Sequence, residues 1–502
     1  MWLCSRKLAI ALVSASPLVT ALGPNDAETV FQDFNNVFFG NSSEGVYYRS
    51  SVDTASEPQL SWAGALNILA AEDAYDRTGD PDKKQLVRDL LQYWNDKTDA
   101  WEGNYWNDDL GWYTLALVRG YRITENERFL SSAKYGFDFA FNRGWDTNTN
   151  DGGIWERQPE DLKPDEEPVK EALSNNSLGK VACMLYQSTH DEYYKQRCRQ
   201  IYDWIRDHIY NPSTGQIYTG VYRDGRVDTS GAVYNQGAWI DYASIVWEIT
   251  GDENVYNDAA KAAHYARHDM TVNGIFSREY PVLHTWADTA ARGIGNFVRD
   301  NRLWDEYHDW MVQNADAILE NRRRDLGITW NKWDTPTAHD DSLDSNKFVS
   351  AVAWLQYTPV TKPGFIGGIH VMHNKLTSMA MDSGGTFGNA AKVIQWGPNH
   401  DQNQKWQLTQ NSDGSWNIIS MSTWEALDCP DGTKEDGATM VQYRTHRNPN
   451  QRWWIEDMQD GTYKITNQAS GKVLDGGKSS TNGAPLIQWE WNGEDQQRWV
   501  FY

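Results

Sequence analysis

Long hydrophobic runs, basic residues and metal-binding motifs are all scarce in this 502-residue chain. No apolar stretch reaches the roughly 20 residues that a membrane span requires. The formal net charge of −23 disfavours nucleic acid and anionic membrane surfaces as partners. The 11 histidines show no HExxH spacing, GxSxG and P-loop motifs are absent, and no cofactor is implied. The length predicts two or three domains, which excludes a small disulfide-held scaffold.

Tryptophan, by contrast, is abundant, with 26 copies in a chain that is 13% aromatic. Flat amphipathic rings of this kind pack well against the apolar face of a neutral sugar. Tryptophan-rich hydrophobic cores explain the same composition equally well. Composition therefore favours a neutral partner without deciding between these two interpretations.

The N-terminus has the pattern of a secretory signal peptide, which we place at residues 1–21. Arg6 and Lys7 precede an apolar run from 8 to 18, and small residues follow at 19–21. The C-terminus at Tyr502 carries no hydrophobic tail of the kind that a lipid anchor needs. We expect a secreted, extracellular and monomeric protein without a membrane anchor.

Three cysteines remain after removal of the signal peptide. Cys183 and Cys198 lie in consecutive helical runs on either side of a short turn, so an antiparallel hairpin would bring them together as a disulfide. Cys429 has no partner in its own region and is expected to be a free, buried thiol. The sequons at Asn41 and Asn175 are candidate glycan acceptors.

Residues 22–357 have helical apolar spacing throughout and form the first predicted domain. Short polar joints such as 78–81 and 250–252 alternate with longer connections such as 144–171 and 210–233. Six hairpins joined in this way predict an all-α (α/α)6 toroid with its long loops gathered around a cleft at one end. An open helical solenoid is the alternative, although no fixed repeat is visible. The twelve predicted helices are 27–39, 58–77, 81–97, 108–123, 125–142, 172–189, 191–209, 234–250, 253–270, 283–300, 303–321 and 343–357.

A second domain is predicted over residues 364–502, after a linker at 358–363. Short strand-like runs with Gly, Asn and Asp turns replace the helices here. A Gln-x-Trp triplet occurs three times, beginning at Gln404, Gln451 and Gln497, and each repeat also holds an earlier Asp followed 14 or 15 residues later by an aromatic. Units this short cannot bury their own apolar faces, so three of them should close around a shared core.

This region resembles the ricin-B-like β-trefoil lectins, whose hallmark is the Gln-x-Trp triplet in three repeats. The resemblance implies an all-β trefoil, buried triplets, and sugar pockets built from a carboxylate, an aromatic platform and an amide. A trefoil that no longer binds sugar is the alternative, and the third repeat departs from the family by placing Gln496 where an Asn is usual. The implied sugar-binding residues are Asp382, Trp396, Asn403, Asp428, Tyr443, Asn450, Asp475 and Trp489.

The strongest candidate for catalysis is the adjacent pair Asp108 and Asp109. Aromatic rings surround the pair in the segment 105–112, which opens a predicted helix with Asn107 as a good cap. Acidic residues at a helix start often serve only the helix dipole. Carboxyl groups that converge to roughly 5–6 Å suit a retaining glycosidase, and their mutual repulsion would separate an acid from a nucleophile.

The helical domain resembles glycoside hydrolase family 76, the endo-α-1,6-mannanases and their fungal cell-wall relatives. Besides the Asp pair, matching motifs stand at 152–155, 170–175, 234–237 and 274–278, in the family's order. The resemblance implies that Asp108 is the nucleophile and Asp109 the acid/base. The chain departs from the family at Val233 and Asn273. The implied substrate-binding residues are Trp106, Trp112, Trp155, Asp228, Tyr234, Asn235 and Gln236, with a simple loop turn as the alternative role for Asp228.

Other acidic residues have simpler explanations. The segment 146–151 resembles a calcium loop, but its Gly comes one position late and Arg157 stands where the terminal Glu belongs, so we predict no calcium site. Glu171 has the position of a helix-start charge rather than a catalyst.

Together these features predict a secreted, retaining endo-α-1,6-mannanase that cuts yeast or fungal mannan, with a lectin domain that holds it on the polymer. The expected partner is α-mannan or another mannose-rich polysaccharide. The alternatives are a transglycosylase acting on wall mannan or a glycolipid glycan, and a non-catalytic wall lectin.

Overall fold

The computed structural model describes residues 22–98, 101–276 and 286–502. The predicted signal peptide lies outside these residues. Within the described ranges, no helix is both long enough and apolar enough to cross a membrane.

The described part of the N-terminal domain contains twelve α-helices, and their positions follow the predicted ones closely. The largest differences are late starts: α2 begins at Trp62, and α12 at Val349 after a short 3-10 turn. α10 begins at Asp288, and the predicted start of this helix at residue 283 lies outside the described residues. The helices are α1 Asp26–Phe38, α2 Trp62–Thr78, α3 Pro81–Lys97, α4 Asn107–Thr124, α5 Glu127–Gly144, α6 Ala172–Thr189, α7 Glu192–His208, α8 Val233–Thr250, α9 Glu253–Asp269, α10 Asp288–Asp300, α11 Trp304–Glu320 and α12 Val349–Tyr357.

The even-numbered helices form a closed inner ring. Each packs on the next, from α2 through α4, α6, α8 and α10 to α12, and α12 returns to α2. The odd-numbered helices pack outside this ring, and their apolar faces complete one large core. The predicted (α/α)6 toroid is therefore confirmed.

The two ends of the toroid differ in the length of their loops. Connections into the N-termini of the inner helices are long, and carry the hairpin of β1 and β2 and the sheet of β3, β4 and β5. Connections from their C-termini are short, such as the two residues between α2 and α3. We name these the cleft end and the joint end. The five strands are β1 Phe39–Ser42, β2 Gly45–Tyr48, β3 Val169–Glu171, β4 Gly220–Tyr222 and β5 Val227–Asp228.

The C-terminal domain is the expected all-β trefoil. Six of its strands close a barrel, because β6 pairs with β10, β10 with β11, β11 with β14, β14 with β15, β15 with β19, and β19 with β6. The strands are β6 Gly368–Asn374, β7 Ala380–Asp382, β8 Ala391–Lys392, β9 Ile394–Trp396, β10 Lys405–Gln410, β11 Trp416–Ser420, β12 Ala426–Asp428, β13 Val441–Tyr443, β14 Trp453–Asp457, β15 Tyr463–Asn467, β16 Val473–Asp475, β17 Ala484–Pro485, β18 Ile487–Trp489 and β19 Trp499–Phe501.

The Gln-x-Trp triplets are structural. Trp406, Trp453 and Trp499 are completely buried in the trefoil core, and each indole donates to the backbone carbonyl just before a repeat's Asp. The three Gln side chains are buried as well. Since these groups hold the barrel together, they are not available to a sugar.

The trefoil docks on the joint end of the toroid. Arg452 donates to the carbonyl of Gly79 at 2.7 Å, and Arg447 donates to that of Asp76 at 2.9 Å. At other joints, Arg444 contacts Glu127 at 3.2 Å and Gln402 donates to a backbone carbonyl of α8. The lectin-like domain therefore lies at the end of the toroid opposite the long loops.

The predicted disulfide between Cys183 and Cys198 is confirmed and ties α6 to α7. Cys429 is free and buried, as expected, and burial raises the pKa of its thiol to about 11. The prediction that Asn175 accepts a glycan is wrong, because Asn175 is fully buried in α6 and its amide bonds the backbone of Ile154. Asn41 is exposed on β1, so its sequon stays a candidate.

Candidate active site

Asp108 and Asp109 occupy the first turn of α4, at the cleft end. Asn107 is the first residue of the helix rather than its cap. Its amide donates to the carbonyl of Trp155 at 2.7 Å, and its side-chain oxygen accepts from Arg143 Nε at 2.8 Å. These bonds fix the start of α4 to the neighbouring loop and thereby position both carboxyl groups.

Close packing between inner helices also positions the pair. Gly111 lies one turn further along α4, where a Cβ atom would come within 2.0 Å of Ser177 Oγ on α6. Only glycine allows the two backbones to approach this closely. The start of α4 is thus brought next to the start of α6.

The Asp108 carboxyl group is buried, and its Oδ1 atom has no hydrogen-bond partner among the described residues. Burial raises its pKa well above the ordinary value, and the nearby carboxyls of Asp109, Glu171 and Glu156 raise it further. An unpaired buried oxygen is costly to a folded protein unless a ligand completes it. Asp108 is therefore placed for contact with substrate rather than for stability.

Asp109 has fewer charged neighbours than Asp108. Burial raises its pKa to about 6, while a hydrogen bond from Asn104 Nδ2, at 3.1 Å to Oδ2, opposes the rise. A carboxyl group with a pKa near 6 can hold a proton at mildly acidic pH and release it in the same reaction cycle. Asp109 thus has the properties of an acid/base group.

Two further acids complete the site, and sequence reasoning did not assign either of them to it. Glu171 caps α6 by accepting from the backbone of Leu173, as its position suggested, but it also contributes to the field at Asp108. Burial raises its pKa to about 8, and Asn235 donates to it at 3.0 Å. Glu156, whose pKa is also raised by burial, follows the 152–155 motif directly, and that adjacency was the available signal.

Aromatic side chains flank the acids at the cleft surface. Tyr105 and Trp106 are exposed, and the Arg157 guanidinium lies 4.2 Å from the Trp106 ring centre. Burial raises the pKa of Tyr234, and the charges of Glu171 and Asp108 raise it further. The rings and carboxyl groups together can cover the apolar face of a sugar and bond its hydroxyls.

Several predicted substrate contacts are instead supporting residues. Gln236 is buried, with its amide bonded to the backbone of Gly215, Ile217 and Ala262, so its predicted contact with substrate is wrong. Trp155 is buried and Trp112 is buried one turn below Asp108. Neither offers an open ring to substrate. Asp228 accepts from the backbone and hydroxyl of Ser230, which is its alternative role in a loop turn. The structure places Asn235 against Glu171, as described above.

The segment 146–151 surrounds a lysine ammonium group. Lys170 Nζ donates to the backbone carbonyls of Asp146, Thr149 and Gly152, and lies 3.5 Å from the Asp146 carboxylate. The same ammonium group is 4.7 Å from the ring centre of Trp155. The backbone carbonyls of this loop and the Asp146 carboxylate are thus bound to an internal cation, which holds the cleft loop in place.

In all three repeats of the trefoil, the Gln of the triplet holds the Asp carboxylate of the same repeat through a hydrogen bond. Gln404, Gln451 and Gln497 donate to Asp382, Asp428 and Asp475 at 2.8, 2.9 and 2.9 Å. In the first two repeats the predicted pocket amides, Asn403 and Asn450, donate to the same carboxylates at 2.7 and 3.0 Å. Trp396 and Trp489 are 40% and 42% exposed, which leaves a ring free in the first and third repeats.

The second repeat differs because of its histidine. His446 Nε2 lies 3.6 Å from Asp428, and its ring centre is 5.9 Å from that of Tyr443. Asn399 and Asn492 occupy the corresponding positions of the other repeats, each bonded through its backbone to the triplet Gln. His446 therefore lies between the carboxylate and the platform, in a segment that also contacts the toroid through Arg444.

These features, a carboxyl cluster in the cleft of an (α/α)6 toroid and an attached trefoil, define a glycoside hydrolase with a lectin-like domain. The model of glycosyl hydrolase family 76 matches residues 24–338, and the chain belongs to that family. The model of the ricin-type β-trefoil lectin domain-like family matches residues 402–489 and 449–501. The comparison with curated proteins gave no match.

Solved structures share the toroid. The α-1,6-mannanase GH76A of Salegentibacter sp. HEL1_6, in an inactive variant with two consecutive aspartates replaced by asparagine and bound to α-1,6-mannotriose, matches with a TM-score of 0.58 and 20% identity, over 66% of this chain and 98% of that one. The Lin0763 protein of Listeria innocua matches with a TM-score of 0.57 and 19% identity, over 66% and 96%. The mannosidase Bt3792 of Bacteroides thetaiotaomicron gives 0.54 and 17%, over 66% and 96%.

Proposed function

We propose that this protein is a secreted endo-α-1,6-mannanase that hydrolyses yeast or fungal mannan with retention of configuration. The observation that carries the proposal is the Asp108 carboxyl group at the start of α4, whose buried Oδ1 atom has no hydrogen-bond partner among the described residues, with Asp109 beside it. The mannanase from Salegentibacter is inactive when two consecutive aspartates are replaced. Asp108 and Asp109 are the consecutive pair at the cleft of this chain.

In the proposed mechanism the pair shares one proton, which lies on Asp109 when the ionised Asp108 carboxylate attacks the anomeric carbon, and Asp109 gives this proton to the leaving oxygen. The bond from the anomeric carbon to the leaving oxygen breaks as a mannosyl ester forms on Asp108, and Asp109 then removes a proton from the water that hydrolyses the ester. The transition state carries positive charge on the sugar ring. Glu171 and Glu156 lie beside the pair, and each of them stabilises that state more than the neutral substrate when its carboxyl group is ionised.

We propose that the trefoil holds the enzyme on the polymer through the first and third repeats. Trp396 and Trp489 supply exposed platforms, and Asp382 and Asp475 supply oriented carboxylates. The disulfide between Cys183 and Cys198 fits an oxidising, extracellular location. Secretion of the protein remains part of this proposal.

Activity on α-1,6-mannan, with products resolved by size, tests the function directly. We expect short oligosaccharides from the natural chain and at least a thousandfold lower rate for Asp108→Asn, because no nucleophile replaces the lost carboxylate. Asp109→Asn should lose about 10²–10⁴-fold, and recover in part on substrates with good leaving groups. Asp165→Asn, an exposed acid on the neighbouring cleft loop, is the matched control. Longer products would indicate a transglycosylase, and no change in the mannan would indicate a lectin.

Stereochemistry tests the roles of the two acids. Adjacent residues of one helix turn cannot easily separate their carboxyl groups to the roughly 6.5–9.5 Å that an inverting enzyme needs for its water. Proton NMR of the first product should therefore show the α-anomer before mutarotation. Early appearance of the β-anomer would contradict the double displacement.

A further inference from the structure

A chamber of about 490 Å³ lies between the toroid and the trefoil, at the joint end. Its size falls in the roughly 300–1,000 Å³ range of small-molecule sites. The last turns of all six inner helices contribute to its lining, and the trefoil closes it. One lining residue from the last turn of each inner helix, in order from α2 to α12, is Tyr75, Arg122, Gln187, Glu248, Arg299 and Tyr357.

Side chains in the chamber keep accessible surface despite their deep position. Both Arg122 and Glu248 face the empty volume of the chamber. The side chain of Arg122 therefore has a large accessible surface although protein surrounds it, and that of Glu248 is half-buried. The Arg122 guanidinium donates to Gln187 Oε1 at 3.0 Å and pairs with no carboxylate in the part of the chain described. A charged group with a single neutral partner is available for further hydrogen bonds.

The trefoil wall contributes polar atoms that lack partners. Trp424 Nε1, Glu425 Oε2, Thr409 Oγ1 and Thr445 Oγ1 are buried in side chains that line the chamber and have no hydrogen-bond partner among the described residues. They comprise one donor, one carboxyl oxygen and two hydroxyls that both donate and accept. Burial raises the pKa of Glu425 to about 7 and, helped by Asp300, that of Glu248 to about 8, so both carboxyls donate as well as accept near neutral pH.

The donors, acceptors and rings that line the chamber favour one class of ligand over others. Seven basic side chains line the chamber, and five of them are already paired with carboxylates. An anion would also be disfavoured by the six helix C-termini, whose carbonyl groups carry partial negative charge. An apolar ligand would leave the polar atoms unpaired. A neutral ligand with many hydroxyls satisfies donors and acceptors together, and the rings of Trp424 and Phe387 offer apolar surface to a sugar face.

We propose that the chamber is a second binding site for a short neutral sugar, of one or two hexose units, separate from both the cleft and the trefoil pockets. Entry is beside the trefoil loop 384–390, where Phe387 and Asn389 line the chamber and are also exposed. The inference rests on the chamber alone and does not depend on the substrate of the cleft.

Fluorine NMR on the full chain labelled with 5-fluorotryptophan gives a local test, with the Trp424 resonance assigned by Trp424→Phe. Titration with mannose, α-1,6-mannobiose, glucose or maltose should shift this resonance in a saturable way for at least one of the four sugars. Arg122→Met should weaken the binding at least fivefold, because it removes the free donor. Arg128→Met, on the outer surface of α5, is the matched control and should bind as the natural chain does.

Ser244→Trp is designed to fill the chamber from α8 and should abolish the shift. If that variant does not fold, Arg122→Met alone decides the outcome. The proposal is overturned if no sugar moves the Trp424 resonance up to its solubility limit, or if Arg122→Met leaves the binding unchanged. A shift with inorganic phosphate and with none of the sugars would also overturn it, by showing an anion site.

Discussion

The cleft end and the joint end of the toroid differ in loop length and in the charged residues at some of their helix termini. Acidic Asp108, Asp109 and Glu171 lie at helix N-termini, whereas Arg122 and Arg299 lie at helix C-termini. Each sign is the one that the helix dipole favours. Long loops at one end provide room for a substrate cleft, and short joints at the other provide a rigid platform for the trefoil. The ring of inner helices thus holds the candidate catalytic residues at one end and the attached trefoil at the other.

Loss of the exposed tryptophans of the trefoil should separate polymer binding from hydrolysis more clearly than any other change. Trp396→Ala with Trp489→Ala should weaken binding to insoluble mannan at least tenfold, since each ring supplies about 1 kcal/mol or more of stacking and burial. Hydrolysis of soluble mannotetraose should stay unchanged, because the cleft lies at the other end. A pull-down with insoluble polysaccharide and an oligosaccharide assay measure the two effects.

Exposed Trp454, on β14 and outside the predicted pockets, provides a matched control as Trp454→Ala. Equal loss of binding in that variant would mean that the trefoil binds through general aromatic surface. A fall in mannotetraose hydrolysis in the double variant would contradict the separation of the two ends.

Substitution of a single arginine should weaken the attachment of the trefoil to the toroid. Arg452→Ala removes the bond to the Gly79 carbonyl and the ion pair with Asp413, and we expect the joint end to become more open to protease. Calorimetry should show a broader or split transition, since the two domains then melt more independently. Arg498→Ala removes the corresponding arginine of the third repeat, which bonds Asp460 within the trefoil, and is the control.

A single transition of unchanged shape in Arg452→Ala, together with unchanged proteolysis, would show that the remaining contacts hold the domains together. Broadening of the same size in Arg498→Ala would show that the effect comes from the trefoil rather than from its attachment to the toroid.

Burial of the Asp108 carboxyl group at the cleft end should also lower the stability of the folded protein at neutral and basic pH. Because the pKa of Asp108 is raised in the folded state, the unfolded chain loses that proton first, and stability decreases as pH rises above the ordinary carboxyl range. Asp108→Asn removes this cost. Its melting temperature should match that of the natural chain near pH 4 and exceed it by a few degrees near pH 8, at roughly 2–4 °C per kcal/mol.

Thermal melts at both pH values check this prediction, with Asp165→Asn expected to leave the melting temperature unchanged at either. A lower melting temperature for Asp108→Asn at pH 8 would show that the carboxylate stabilises the fold.

Local patterns in the sequence predict most of the architecture. Helical spacing and polar joints place the ends of all twelve described helices, and nine of their starts, within two residues of their positions. The triplets at Gln404, Gln451 and Gln497 predict the trefoil. The Asp pair is recognisable from its aromatic neighbours. Such patterns do not reveal long-range packing. Trp155 is buried with the Lys170 ammonium group near its ring, and Glu171 joins the site because Gly111 lets α6 approach α4.

The same limit applies to the trefoil and the chamber. The second repeat has all three expected pocket residues, yet His446 lies among them and its segment docks on the toroid. The chamber has lining residues spread from Tyr75 to Arg447, and their proximity depends on the contact between domains. A single sequence carries no local signal for either feature.

Closure of the inner ring has a consequence for the order of events during synthesis. Asn67 on α2 donates to Ser345 Oγ at 2.7 Å, and Arg77 to Gln356 at 2.6 Å, so the first and last parts of the toroid are joined directly. The ribosome must therefore release almost the whole helical domain before the ring can close, and α2 waits with its inner face uncovered. The nascent chain should depend on chaperones throughout that interval, whereas the trefoil, made last, can fold onto a finished surface.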